Sequence, residues 1–207
     1  MEIKKFDREI DDVGIVADLI LRAYSEGGQN ISYDENSKQI VQDFVQTGNN
    51  FIGYENIYLC FADNIIAGLI IGYAGKSYSK IKTLLDLLFK LRLTQILNYL
   101  IISSQLFDTA YTPYLEEDDF YISVIVVDEQ YRSQGIGTLL LNHAVELAKE
   151  KECKKIVLDV DKDNETAQSL YKKFGFISLK ERPQNKINSD SDNFKTMQYN
   201  LKGFANG

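Results

Sequence analysis

The stretch Phe120-Tyr121-Ile122-Ser123-Val124-Ile125-Val126-Val127, followed after Asp128-Glu129-Gln130-Tyr131 by Arg132-Ser133-Gln134-Gly135-Ile136-Gly137-Thr138, decides how this chain folds. Its opening half is apolar, β-branched and aromatic, the composition of a strand near the centre of a sheet. Two glycines then open an amphipathic helix over Gly135–Glu150. Glycine lets a backbone approach a ligand closely, and the unpaired N–H groups at a helix N-terminus point at an anion with the helix dipole behind them. A strand, a glycine turn and a helix start in this order suit a pyrophosphate.

A glycine turn that merely starts a helix has the same appearance, so the neighbouring residues must discriminate. A Walker loop needs Gly-Lys-Ser/Thr, whereas Gly137 is followed directly by Thr138. A dinucleotide fingerprint needs a third glycine where Leu140 stands. What remains, Arg132-x-x-Gly135-x-Gly137, resembles the Gln/Arg-x-x-Gly-x-Gly/Ala motif with which the GNAT superfamily of N-acetyltransferases binds acetyl-CoA. The resemblance implies cofactor contacts from Arg132, Ser133, Gln134, Gly135, Ile136, Gly137 and Thr138. It also implies that the preceding strand splays from its neighbour and offers the pantetheine arm the backbone of Ile125, Val126 and Val127.

One helix and one strand downstream lies Asn164-Glu165-Thr166-Ala167-Gln168-Ser169-Leu170-Tyr171-Lys172-Lys173-Phe174-Gly175-Phe176. It is similar to the GNAT segment Asn-x-x-Ala-x-x-Leu-Tyr-x-x-x-Gly-Phe, which lines the thiol end of the cofactor. By that likeness Asn164 and Ala167 contact pantetheine, and Tyr171 lies near the sulfur and donates a proton to the departing thiolate. A phenol within hydrogen-bond reach is a plausible acid for a basic leaving group. The accepting amine must lose a proton before it attacks, so a carboxylate or a water held by one is needed. The run Glu116-Glu117-Asp118-Asp119 precedes the central strand, where some members of the family carry such a base, and Glu117 is the first choice within it.

Outward from this core, Glu2–Phe6 reads as a strand, and Asp11-Asp12 precede a helix with Ile15, Leu19, Ile20 and Ala23 on one apolar face. Ile31–Gln46 reads as a looser helix ended by Gly48-Asn49-Asn50, and Asn56–Phe61 and Ile65–Tyr73 as a hairpin turning at Ala62-Asp63-Asn64. Lys155–Val160, Phe176–Lys180 and Met197–Leu201 are further strands, Glu165–Phe174 a helix, and Pro183–Asn193 a loop. Leucines at helical spacing over Lys80–Phe107 read as one or two helices, which the resemblance implies are an insertion at 78–112, suited to enlarging the core, covering an acceptor pocket, forming a homodimer or, with Lys80, Lys82, Lys90 and Arg92, touching a membrane surface. The expected fold is thus an α/β (α+β) GNAT-like domain over residues 1–207, with a mixed, mostly antiparallel, twisted sheet flanked by helices and the insertion before the central strand.

A net charge of −7 disfavours a general nucleic-acid partner, which needs a basic surface. Two cysteines, Cys60 and Cys153, form no CxxC pair and fit a reducing cytoplasm. No stretch reaches the roughly 18 apolar residues of a membrane span, so stable insertion is not expected. No metal is implied, and His143, the lone histidine, stands beside a buried stripe without an evident partner. The function expected is acetyl transfer from acetyl-CoA to a primary amine, in the first instance of a small molecule. A protein or peptide amine and a non-catalytic acyl-CoA-binding module are the alternatives, and an acceptor pocket is expected near Tyr24, Glu26, Tyr33 and Asp34.

Overall fold

The computed structural model describes residues 1–27, 33–75, 115–179 and 193–201. The expected insertion at 78–112, with its Lys80–Phe107 helices, lies outside them, as does the predicted loop except Asn193. The first strand, β1 (Glu2–Lys5), leads to α1 (Val13–Glu26) and α2 (Glu35–Thr47). A hairpin follows, β2 (Ile57–Ala62) and β3 (Ile65–Ala74), and then β4 (Asp119–Val127), α3 (Ile136–Glu150), β5 (Lys155–Asp161), α4 (Glu165–Phe174), β6 (Ile177–Ser178) and β7 (Phe194–Asn200). No described helix is long and apolar enough to cross a membrane.

Local chemistry sets most of these boundaries. Asp12 caps α1 by accepting from the Gly14 and Ile15 N–H groups at 2.7 and 3.3 Å, and Asp34 caps α2 through Ser37 N–H at 2.7 Å. That second cap is why α2 starts at Glu35 rather than at the predicted Ile31. Asp63 and Asn64, at φ 50° and 65°, form a two-residue turn whose twist matches the flanking strands. The buried face of α1 is Val16, Leu19, Ile20 and Tyr24, one position round from the face expected, and Ile15 is exposed. The final strand begins at Phe194, three residues before the predicted Met197, because its first half pairs with β5.

Among the described residues one sheet runs in the order β1-β2-β3-β4-β5-β7-β6, and its pairings are antiparallel except for β4 with β5. The strand expected to be central, β4, is the fourth of the seven. Helices α1 and α2 cover one face, with Val16, Ile20, Val41 and Phe44 packed on Leu59, Leu69, Ile71 and Val124. Helix α3 covers the other, with Ile136, Leu140 and Ala144 in one cluster with Ile70, Phe120, Ile122 and Leu158.

Strand β4 changes face partway along. Val124 opposes Ile71 and Ile122 opposes Gly72, so Ser123 is an extra residue with no partner on β3. Such a bulge bends its strand and breaks the two-residue alternation. Before it Phe120 and Ile122 point to the α3 face and Tyr121 to the α1 face, whereas after it Val124 and Val126 point to the α1 face and Ile125 and Val127 to α3. The Ser123 hydroxyl donates to the Phe51 or Ile71 carbonyl, at 3.3 and 3.5 Å. Gly72 opposite the bulge leaves room for the fully buried Phe120 ring, since a Cβ there would lie 2.5 Å from Phe120 Cε1. Gly72→Ala is therefore expected to cost about 1–3 kcal/mol as the ring is displaced. Denaturant unfolding checks this, and a stability equal to the parent's would show that the ring has space the packing does not reveal.

Candidate active site

The parallel ladder between β4 and β5 runs from Asp119–Lys155 to Ile122–Leu158 and stops there, at the residue before the bulge. Beyond it β4 continues along β3 alone. Asp128 N–H donates to the Ala67 carbonyl at 2.9 Å, so the antiparallel alternation turns the backbone of Val126 to β3 and that of Ile125 and Val127 to the open side. The structure thus brings Ile125 and Val127 to the split and keeps Val126, buried and paired, out of it.

Past the split the chain makes a short 3-10 turn at Glu129–Tyr131, which Asp128 caps through Gln130 N–H at 3.0 Å. Ser133 and Gly135 then adopt left-handed φ values of 64° and 84°, and α3 starts at Ile136 with no side-chain cap. An uncapped first turn leaves its N–H groups for a ligand or water. Ser133, Gln134 and Thr138 are exposed around it, whereas the Ile136 side chain is buried and offers only backbone. The two glycines serve different ends. Gly135 supplies the left-handed turn in open space, while Gly137 lets the Leu170 side chain of α4 pack close, since a Cβ there would lie 2.9 Å from Leu170 Cδ2. Arg132 donates from Nη2 to both Glu26 oxygens at 2.7 and 2.8 Å and from Nε to the Val127 carbonyl at 3.2 Å. With Arg22–Asp128 at 3.0 Å, this fastens the end of α1 to the loop.

Where β4 and β5 part there is a cleft of about 120 Å³, into which Tyr24, Ser123, Asp159, Asn164 and Tyr171 all project surface. Asn164 caps α4 by accepting the Ala167 N–H at 3.0 Å, so its Nδ2 is the group left to face a ligand. Tyr171 is held by the end of its helix. Gly175, at φ 116°, donates to the Lys172 carbonyl at 3.1 Å, Phe176 N–H donates to the Tyr171 carbonyl at 2.9 Å, and the Tyr171 and Phe176 rings stand 5.7 Å apart. This pairing of crossed hydrogen bonds with a hydrophobic contact is a Schellman motif. The Leu-Tyr-x-x-x-Gly-Phe spacing is therefore also a device for fixing the tyrosine.

Asp159, which the sequence reading did not single out, is the first residue of β5 past the last β4 pair. Its Oδ2 accepts from the Tyr121 hydroxyl at 3.1 Å and its Oδ1 from the Thr196 hydroxyl at 2.6 Å. Leu158 and Val160 belong to the α3 face, so Asp159 and Asp161 belong to the α1 face. Acids at alternate positions of an otherwise apolar strand were the available signal. Glu117 is exposed and stands before the other end of β4, with the four paired residues Asp119–Ile122, roughly 13 Å of strand at about 3.3 Å per residue, between it and the split. The structure does not bring it to the cleft. Its neighbours Glu116, Asp118 and Asp119 draw together, and Lys155 and Lys154 pair with them. Of the residues expected around the acceptor only Tyr24 lines the cleft; Glu26 holds Arg132, Tyr33 donates to Asp18 at 3.2 Å and Asp34 caps α2. His143 packs edge-on to Tyr58 at 4.7 Å with Glu146 3.6 Å away, on the α3 face.

Burial pushes the phenols of Tyr24 and Tyr171 well above the ordinary tyrosine value. Their folded-state pKa is raised, so their contribution to stability is complete below about pH 10 and is lost as pH climbs through the raised folded value. Melting temperature should thus fall steeply at alkaline pH, less so in Tyr24→Phe. Titration of every tyrosine in the native protein near pH 10, read as tyrosinate absorbance, would contradict the burial argument.

The chain matches the Acetyltransferase (GNAT) family over residues 29–176. A 58-residue segment is 47% identical to a putative [ribosomal protein bS18]-alanine N-acetyltransferase of Bacillus subtilis, covering 28% of this chain and 38% of that protein. A 79-residue segment is 33% identical to N-alpha-acetyltransferase 30 of Schizosaccharomyces pombe, covering 38% of this chain and 52% of that one. The similarity thus spans about half the length of these relatives or less. In fold the chain is similar to an N-acetyltransferase from Staphylococcus aureus Mu50, with a TM-score of 0.68 at 23% identity over 96% of this chain and 98% of that one. The split sheet, the uncapped helix after a glycine turn and this family match lead to one conclusion: the chain belongs to the GNAT family of acetyltransferases.

Proposed function

We propose that the protein transfers the acetyl group of acetyl-CoA to the α-amine of a polypeptide by direct attack, with both substrates bound at once. The observation that carries the reading is the split itself. Tyr171 reaches the cleft from the α3/α4 face and Asp159 from the α1 face, so one gap in the sheet receives a proton donor and a carboxylate from opposite sides. The groups present fit acetyl-CoA: uncapped N–H groups at Ile136, Gly137 and Thr138 for the pyrophosphate, the open backbone edge of Ile125 and Val127 for the amide arm, and the Asn164 amide beside it. The Bacillus and yeast relatives, named for protein alanine and N-alpha acetylation, favour a protein amine over the small amine first expected.

In this reading Asp159 accepts the proton of the incoming ammonium, directly or through one water, and so replaces Glu117 as base. Tyr171, kept protonated by burial, donates a hydrogen bond and then a proton to the departing sulfur. A backbone N–H on the open edge of β4 steadies the charge that develops on the carbonyl oxygen. The fixed frame of the split contributes by holding the reacting groups in line.

Two measurements test the cofactor and the chemistry separately. Thr138 is exposed in the first turn of α3, where a glutamate favours the helix dipole by a few tenths of a kcal/mol but repels a phosphate. Thr138→Glu is expected to melt no lower than the parent while binding acetyl-CoA at least about tenfold more weakly; unchanged affinity would remove the loop from the cofactor site. Asp159→Asn and Tyr171→Phe should each bind acetyl-CoA normally and lose on the order of 10²-fold or more in thiol release with free-amine peptides. Parent-like turnover of either variant would sink its assigned role.

A further inference from the structure

We propose that Thr196 is a positioning residue for the transfer: its hydroxyl, on the last strand of the sheet, fixes the Asp159 carboxylate at the split. The inference rests on the reading of Asp159 as the base. Thr196 stands directly opposite Asp159 in the β5–β7 register and is 2% exposed, and its hydroxyl donates to Asp159 Oδ1 at 2.6 Å. A bond of that length from a hydroxyl to a carboxylate belongs to the stronger, charge-assisted class.

The residue type is informative. Threonine is close to valine in shape and equally stiff at χ1, so valine would fill the same place in a strand whose neighbour Met197 is fully buried. The hydroxyl adds the bond to Asp159, and the β-branch aims it. The Tyr121 hydroxyl holds the other oxygen at 3.1 Å, from β4. Three strands thus converge on one carboxylate, which is gripped at both oxygens. Without the Thr196 hydroxyl the carboxylate can turn about its Cβ–Cγ bond and lose its orientation toward the gap. Precise aim matters because the rate of a direct attack falls steeply when a reacting group is misplaced by even an ångström.

The test compares Thr196→Val and Thr196→Ser, alone and with Asp159→Asn, using acetyl-CoA and a short peptide with an N-terminal alanine. Thr196→Val is expected to lower kcat about 10- to 100-fold with the fold and acetyl-CoA affinity retained, Thr196→Ser to restore most of it, and Thr196→Val to lower kcat no further once Asp159 is asparagine. Parent-like kcat in Thr196→Val, or a loss that serine does not rescue, overturns the positioning role while leaving Asp159 as base. Full turnover of Asp159→Asn instead overturns the underlying reading, and the inference with it. Should the alanyl peptide not be acetylated, a crystal structure of Thr196→Val decides: a turned Asp159 carboxylate supports the proposal, and a carboxylate still in its parent position ends it.

Discussion

Everything that distinguishes this sheet from a plain mixed sheet follows from one interrupted ladder. Parallel pairing of β4 with β5 ends at Ile122–Leu158, and the next residue of β4, Ser123, is a bulge. A bulge increases local twist and bends its strand. Here it also reverses which side chains face which helices, so that β4 leaves its neighbour and exposes the backbone of Ile125 and Val127. Gly72 and Phe120 across from it, and the Ser123 hydroxyl bound to carbonyls of the α1 face, keep the defect in one register. A gap in the middle of a sheet leaves polar backbone groups without sheet partners, and such groups call for another partner.

The two faces contribute different chemistry to that gap. The α3/α4 face contributes helix ends: an uncapped N-terminus after the glycine turn, and a tyrosine locked by a Schellman motif at the other helix's C-terminus. The α1 face contributes hydroxyls and carboxylates, with Tyr24, Tyr121 and Asp159 drawn from three separate elements. The ion pairs Arg22–Asp128 and Arg132–Glu26 join the end of α1 to the loop that follows β4. Arg132 thereby has a structural partner in Glu26 as well as its place in the glycine motif.

What could be read from the sequence was what is local in it. The glycine turn, the helix it opens and the Asn164–Phe176 segment are short-range patterns, and the elements they predict appear where expected. The hairpin, the acids before α1 and the central place of β4 are of the same kind, whereas the cap at Asp34 was missed and α2 was begun four residues early. Asp159 was not legible because its meaning depends on partners 38 and 37 residues away, Tyr121 and Thr196, which only the sheet brings together. Glu117 was chosen by its place in the chain next to β4, yet the strand has two ends and the gap opens at the other one. Ile15 and Val16 differ too little in apolar character for periodicity to tell which of them faces the core.

The position of β7 bears on how the molecule comes into being. The last of the described strands does not lie at the margin of the sheet but between β5 and β6, so β6 has no place to dock until β7 has arrived. During synthesis from the N-terminus, the bulge, the glycine turn and both helices of the cofactor side can form while β5 is still an open edge. Asp159 acquires its threonine only when Phe194–Asn200 zips alongside. A nascent chain therefore holds the glycine turn and the helix ends of one face of the gap before the Asp159 carboxylate on the other is settled, and the last of the described strands completes its surroundings.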